Sequence, residues 1–183
     1  MSQRDSGYER KERDLYETPA WVTEALIPHL PRRPLAIWEP ACGGGKMVDA
    51  LVDALPDTIV TGTDIAAGRD FLVGEPAVVR ADAIITNPPY EFATEFVRRA
   101  LGSVPKHGVV AMLLRTDFDH AKTRSHLFAK HPAFAKKVVL TKRIKWFEGS
   151  KGQPSFNHAW FIWDWTHEGP PTLAYGPQSG GAE

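Results

Sequence analysis

The sequence is short of the features that mark exported and membrane-bound chains. Its 183 residues include a single cysteine, Cys42. One thiol cannot close an internal disulfide, so a cytoplasmic location is expected. No run approaches the roughly 20 apolar residues of a membrane span, so no membrane partner is expected. The opening MSQRDSGYERKERD lacks the apolar stretch of a secretory signal. Internal repeats are absent as well. So is net charge: 22 Lys and Arg balance 22 Asp and Glu. That balance excludes a wholly basic coat for nucleic acid and a disordered acidic tail. Hydrophobic residues make up 43% of the chain, enough for one core at single-domain length.

The balance conceals a segregation. Residues 115–151 hold ten Lys and Arg against three acids, a local charge of +7. The first 114 residues hold 16 acids and 12 bases. A basic third on a neutral chain suits a polyanion such as nucleic acid. It equally describes a solvated face on which like charges gather.

Residues 1–14 are polar and charge-mixed, and a flexible segment is expected there. Residues 167–183 carry Gly-Pro-Pro, Tyr-Gly-Pro and Ser-Gly-Gly and are expected to trail off as a flexible tail. A single domain over 15–166 is expected between them. Its first helix is expected over 19–30, with Pro19 in the first turn and Thr18 as its cap. Strands at 35–39, 59–64, 83–86 and 109–114 alternate with helices at 47–55, 91–101 and 118–130. Two further strands, 138–144 and 159–163, have no helix between them. The alternation predicts a mostly parallel α/β sheet, with the last two strands as an antiparallel hairpin at one end. Trp160 and Trp163 are expected in its core. Such sheets bind ligands beyond the carboxyl ends of their strands, so residues that end strands are the candidates for function.

Three such ends stand out. The strand to Glu39 runs through Pro40, Ala41 and Cys42 into Gly43-Gly44-Gly45 and a helix. Glycine permits close backbone approach to a ligand and positive φ. A dinucleotide fingerprint would need its third small residue at position 48, which is Val48. Asp64 ends the next strand, where a carboxylate accepts from a ribose diol or caps the following turn. Asn87-Pro88-Pro89-Tyr90 follows the strand Ala83 to Thr86, and two prolines make its loop rigid.

In this order and spacing the pieces resemble the class I S-adenosylmethionine-dependent methyltransferases. More narrowly they resemble the DNA amino-methyltransferases that act on adenine N6, with the motif order of the gamma type and of small phage or prophage forms. Pro40-Ala41-Cys42-Gly43-Gly44-Gly45, Asn87-Pro88-Pro89-Tyr90, the upstream Thr18-Pro19 and the pair Asp70-Phe71 carry the resemblance. It covers 16–115 well and 116–165 loosely. It implies a Rossmann-like methyltransferase fold and S-adenosylmethionine as cofactor. Thr18 and Pro19 would line the methionine end, and Gly43 and Gly45, with Pro40 and Ala41 before them, would admit it beside Glu39. Asp64, followed by Ile65, would hold the ribose hydroxyls. Asp70 would bind the adenine amino group, with Phe71 near that ring. Asn87 and the Pro88 carbonyl would hold the amino group being methylated, and Tyr90 would stack on the base. The other face of the base would be an aromatic from the late segment: Trp146, Phe147 or Phe156. Arg115, Lys142, Arg143 and Lys145 would meet the phosphates.

Related readings remain open: an RNA adenine or guanine amino-methyltransferase, a protein glutamine methyltransferase, or a non-catalytic binding module of the same fold. The upstream Tyr16-Glu17-Thr18-Pro19 favours the DNA group, and the basic, aromatic 136–151 strip favours a nucleic acid over a protein as partner. No stretch suits the separate target-recognition domain of gamma-type enzymes, so specificity is expected from the basic strip 115–151 or from a protein partner, unless the substrate is not duplex DNA. No metal is expected, since Asp117, Asp119, His120 and His126 lack ligand spacing. The seven histidines, without pattern, are expected at the surface or satisfied in the core. Cys42 is expected to be structural.

Overall fold

The computed structural model describes residues 16–73, 80–146 and 156–177. Seven strands form one sheet: β1 (Ala36–Glu39), β2 (Ile59–Gly62), β3 (Ala83–Thr86), β4 (Val109–Arg115), β5 (Phe134–Leu140), β6 (His158–Asp164) and β7 (Thr172–Gly176). Their order is β2-β1-β3-β4-β6-β5-β7. Only β6 runs against the rest, antiparallel to both β4 and β5. The expected antiparallel hairpin is therefore β5 and β6, with β6 lying inside next to β4. Among the described residues three α-helices accompany the sheet: α1 (Ala20–Glu24), α2 (Lys46–Ala54) and α3 (Ala93–Ser103). None of the described helices is long and apolar enough to cross a membrane.

The run VVAMLL of β4 is buried at every residue because both faces of the sheet are covered. Val110, Met112 and Leu114 join Phe96, Val97, Phe128 and Phe161 in one cluster. Val109, Ala111 and Leu113 join Val22, Leu26, Met47, Leu51 and Trp160 in the other. The period of two along the strand sorts them. The helices obey the period of 3.6: α3 buries Ala93, Phe96, Val97, Ala100 and Leu101. Trp160 and Trp163 are fully buried, as expected, and their indole nitrogens donate to the carbonyls of Val22 (2.8 Å) and Leu127 (2.6 Å). A buried indole N–H needs such a partner.

Five expectations change. The segment 118–130 is not a helix. Phe118–His120 and Lys122–Arg124 form single turns, split by Ala121 in an extended conformation. Between Ala121 and Leu127 the residues are polar, so no continuous apolar stripe exists to bury a helix. The first helix stops at Glu24, and a separate turn spans Ile27–His29. Pro28 has no N–H to continue the ladder. Pro19 occupies the cap position, and no side chain caps the helix, so Thr18 is not its cap. Finally, β5 begins at Phe134 and ends at Leu140, and Thr172–Gly176, within the expected tail, is the edge strand β7 beside β5.

Candidate active site

The carboxyl ends of β1 to β4 and the amino end of β6 open on one edge of the sheet, since Arg115 closes β4 opposite His158 in register. That edge carries the candidate residues in two groups.

The first group is built from backbone turns. Past β1 the chain turns through Gly43 (φ 51°) and Gly45 (φ 93°), the latter at the cap of α2. A side chain would be strained at either. Beyond β2, Asp64 takes the peptide N–H of Gly43 on Oδ2 (2.9 Å) and that of Ala66 on Oδ1 (2.8 Å). The carboxylate thus caps its own turn and ties the glycine turn to it. Each oxygen keeps a second lone pair for another donor. Ile65 beside it is exposed. Glu39 is 1% exposed, and burial pushes its carboxyl up to about 8. The Thr86 hydroxyl donates to its Oε1 (2.7 Å), while Oε2 is buried with no partner. Cys42 is half-buried, its thiol raised by burial and by the Glu39 and Asp64 carboxyls. Its side chain packs where a Cβ on Gly62 would stand, a structural role.

Residues 16–19 form a strap over this turn. The Glu17 carboxylate lies where a Cβ on Gly44 would be and pairs with Lys46 (2.8 Å). The Tyr16 carbonyl accepts from the Asn87 Nδ2 (3.4 Å). Thr18 is buried. Asp70 accepts from its own Leu72 N–H (2.8 Å), and Phe71 is core, packed on Trp38 and Phe96.

The second group is built from side chains. Asn87 leaves β3 with its Oδ1 buried and unpartnered. Pro88 is buried, and Pro89 (φ −55°, ψ 126°) leads into the turn Tyr90–Phe92. The Tyr90 hydroxyl meets His158 Nε2 at 2.7 Å, with the rings 6.0 Å apart and inclined 26°. Trp146 sits edge-on to His158 at 5.3 Å and against Tyr16 at 5.3 Å. The Arg115 guanidinium grips Asp117 (3.2 and 2.9 Å) and lies 4.1 Å over the ring of Phe156. Arg143 donates to Asn157 (3.0 Å), beside His158. Lys142 lies 5.2 Å over Trp21 on the α1 side, and Lys145 is exposed. Phe147 lies outside the described residues.

Sequence reasoning missed His158, Tyr16, Glu17, Lys46 and Thr86. His158 is 2% exposed with Nδ1 unpartnered, so it is neither surface nor satisfied core. Its signal was position: it follows Phe156-Asn157 and opens an aromatic strand. Tyr16 and Glu17 stand in the run Tyr16-Glu17-Thr18-Pro19, but only the fold brings Glu17 to Gly44.

No family model and no curated protein matches the chain. Solved structures do. A Listeria monocytogenes protein described as a class I S-adenosylmethionine-dependent methyltransferase superposes with a TM-score of 0.66 at 14% identity, over 90% of this chain and 67% of that one. A modification subunit of a type I restriction enzyme from Vibrio vulnificus gives 0.57 at 14% identity. The match covers 90% of this chain and spans about half of that subunit, 48%. An Agrobacterium tumefaciens protein described as an O-methyltransferase gives 0.59 at 15% identity, over 86% of each chain. At 14–15% identity the likeness shows the shared backbone and selects no acceptor. The chain has the Rossmann-like fold of the class I methyltransferases.

Proposed function

We propose that this chain is an S-adenosylmethionine-dependent methyltransferase acting on the exocyclic amino group of a nucleobase, adenine N6 in DNA. The observation that carries this is the Asn87 amide. Its Oδ1 is a buried acceptor without a partner, in a proline-stiffened loop at the strand end beside Glu39. A buried acceptor left unmade costs about 1–3 kcal/mol, a cost an incoming N–H removes.

The first group of residues fits the cofactor. Glu39 Oε2, orphaned and buried, suits an ammonium. The spare lone pairs of Asp64 suit a ribose diol, and Gly43 and Gly45 leave the backbone open to close approach. Asp70, with one oxygen on its own turn, keeps the other for an adenine amino group. When bound, S-adenosylmethionine supplies an electrophilic methyl group. What the chain must supply is a nucleophile. An amino group on a base is weak because its lone pair is delocalised into the ring. Asn87 Oδ1 and the Pro88 carbonyl would accept its two hydrogens, draw the nitrogen toward tetrahedral geometry and localise the lone pair. Asn87 has no basicity, so the proton leaves late, to water. Such positioning supplies on the order of 7–11 kcal/mol. Tyr90 would stack on the base, which must be single-stranded or flipped from a duplex. The rim cations Arg115, Arg143 and Lys145 favour a polyanion as its carrier, with specificity from residues 115–151 or a protein partner.

Asn87→Ala separates the two groups. Cofactor binding by calorimetry is expected to stay near wild type while methyl transfer falls by at least about 100-fold. Full turnover in that variant overturns the assignment.

A further inference from the structure

Tyr90 raises a question that stacking does not answer. A phenylalanine would present the same π-face to a base. The hydroxyl is instead held by His158 Nε2 at 2.7 Å. His158 is itself held by its strand and by a neighbouring ring. It opens β6 in register with Arg115, is 2% exposed, and has Trp146 edge-on at 86°. With the ring neutral and the proton on Nδ1, Nε2 takes the tyrosine O–H as acceptor. Burial, and then the Arg115 cation, lower the imidazole to about 4, with Asp117 opposing, so the acceptor is neutral and constant at physiological pH.

The loop alone does not provide this constraint. The prolines fix the backbone up to Pro89, but the Tyr90 side chain still turns about its own torsions. A hydrogen bond at the far end of the ring fixes the first torsion, and the His158 ring beside it, inclined 26° at 6.0 Å, limits the turn of the ring plane relative to Asn87.

We propose that His158 is a positioning residue that clamps the Tyr90 hydroxyl and so sets the plane on which the acceptor base stacks beside Asn87. It acts through Tyr90 rather than on the reacting atoms, and it rests on the reading of Asn87-Pro88-Pro89-Tyr90 as the acceptor loop. His158 thereby becomes a determinant of kcat, from a strand that the acceptor loop does not touch in sequence.

The test is a double-mutant cycle on labelled methyl transfer to a single-stranded oligonucleotide with one adenine. His158→Phe keeps a ring against Trp146 and removes the acceptor. His158→Gln returns an acceptor at the same reach. Tyr90→Phe removes the bond from the other side without touching the buried strand. Cofactor affinity, read by calorimetry, is expected to be unchanged in all of them. His158→Phe is expected to lower kcat about 10–100-fold with kcat/KM falling alike, the effect of losing alignment rather than binding. Tyr90→Phe should match it, the double variant should be no worse than either single one, and His158→Gln should recover most of the loss. Additive losses, or wild-type kcat in His158→Phe or Tyr90→Phe, overturn the clamp. Failure of the wild-type chain to methylate DNA, RNA or protein overturns the acceptor-loop reading itself, and the clamp with it.

Discussion

The two halves of the rim are made differently. Around Gly43, Gly45 and Asp64 the work is done by peptide groups, and one carboxylate ties two turns that are 21 residues apart. Around Asn87, Tyr90, Trp146 and His158 it is done by side chains drawn from three separate stretches of chain. The first half is acidic and has a buried carboxyl held neutral. The second is aromatic and cationic and has a buried imidazole held neutral. A ligand with a positive end and a diol fits the one, and a planar base on an anionic backbone fits the other. Asn87 is where they meet, because its amide also reaches the Tyr16 carbonyl of the strap over the glycine turn.

The largest effect expected from breaking the first half comes from Asp64. Asp64→Ala removes a carboxylate that holds two peptide donors, and hydrogen bonds to a charged group are worth about 1.5–3 kcal/mol each. Cofactor affinity should fall by about 100-fold in a calorimetric titration. Wild-type affinity would detach Asp64 from the cofactor.

The halves should also respond oppositely to pH. Glu39 has a folded-state pKa raised from 4.5 to about 8, so its stabilising contribution is present below 4.5 and is lost as pH rises toward 8. His158 has a folded-state pKa lowered from 6.5 to about 4, so its contribution is present above 6.5 and is lost as pH falls toward 4. Thermal melts of the free protein should therefore show Glu39→Gln more stable than wild type at pH 8, with the difference vanishing at pH 4.5. The same substitution should weaken cofactor binding, since an incoming ammonium favours the ionised carboxylate and an amide cannot ionise. A Glu39→Gln melt that tracks wild type at every pH contradicts the buried neutral acid.

The smallest effects belong to the exposed cations. Reversing Lys142, Arg143 and Lys145 together should weaken oligonucleotide binding and reduce the slope of log affinity against log salt, by about 0.7 per lost phosphate contact on single strands. An unchanged slope returns these charges to a solvated face. Lys142, already over Trp21, should contribute least.

What the sequence disclosed follows the same division. The glycine turn, Asp64 and the Asn-Pro-Pro-Tyr loop are local: each motif is contiguous, and strand-end logic places them together. The run VVAMLL reads as a buried strand because nothing polar interrupts it. The second half is legible only through tertiary contact. Lys136 and Lys137 disguise the start of β5, since the Lys137 ammonium is satisfied by the Thr116 carbonyl (2.8 Å) and the Asp119 carboxylate, distant in sequence. β7 is an edge strand flanked by Gly and Pro whose large apolar residues, Leu173 and Tyr175, face out while Ala174 and Gly176 face in, so its hydrophobic pattern does not mark a buried face. His158 resembles any other histidine until Tyr90 is placed on its ring nitrogen. The contacts of Trp146 with His158 and of Phe156 with Arg115 join segments distant in sequence.

The central claim is that the two halves together make an amino-methyltransferase of a nucleobase. Labelled methyl transfer from S-adenosylmethionine to single-stranded DNA, RNA and protein in parallel, followed by digestion and identification of the labelled residue, tests it most directly. Label is expected in DNA as N6-methyladenine, absent with Asn87→Ala. Label on a protein side chain, on a base carbon or on an oxygen would contradict it.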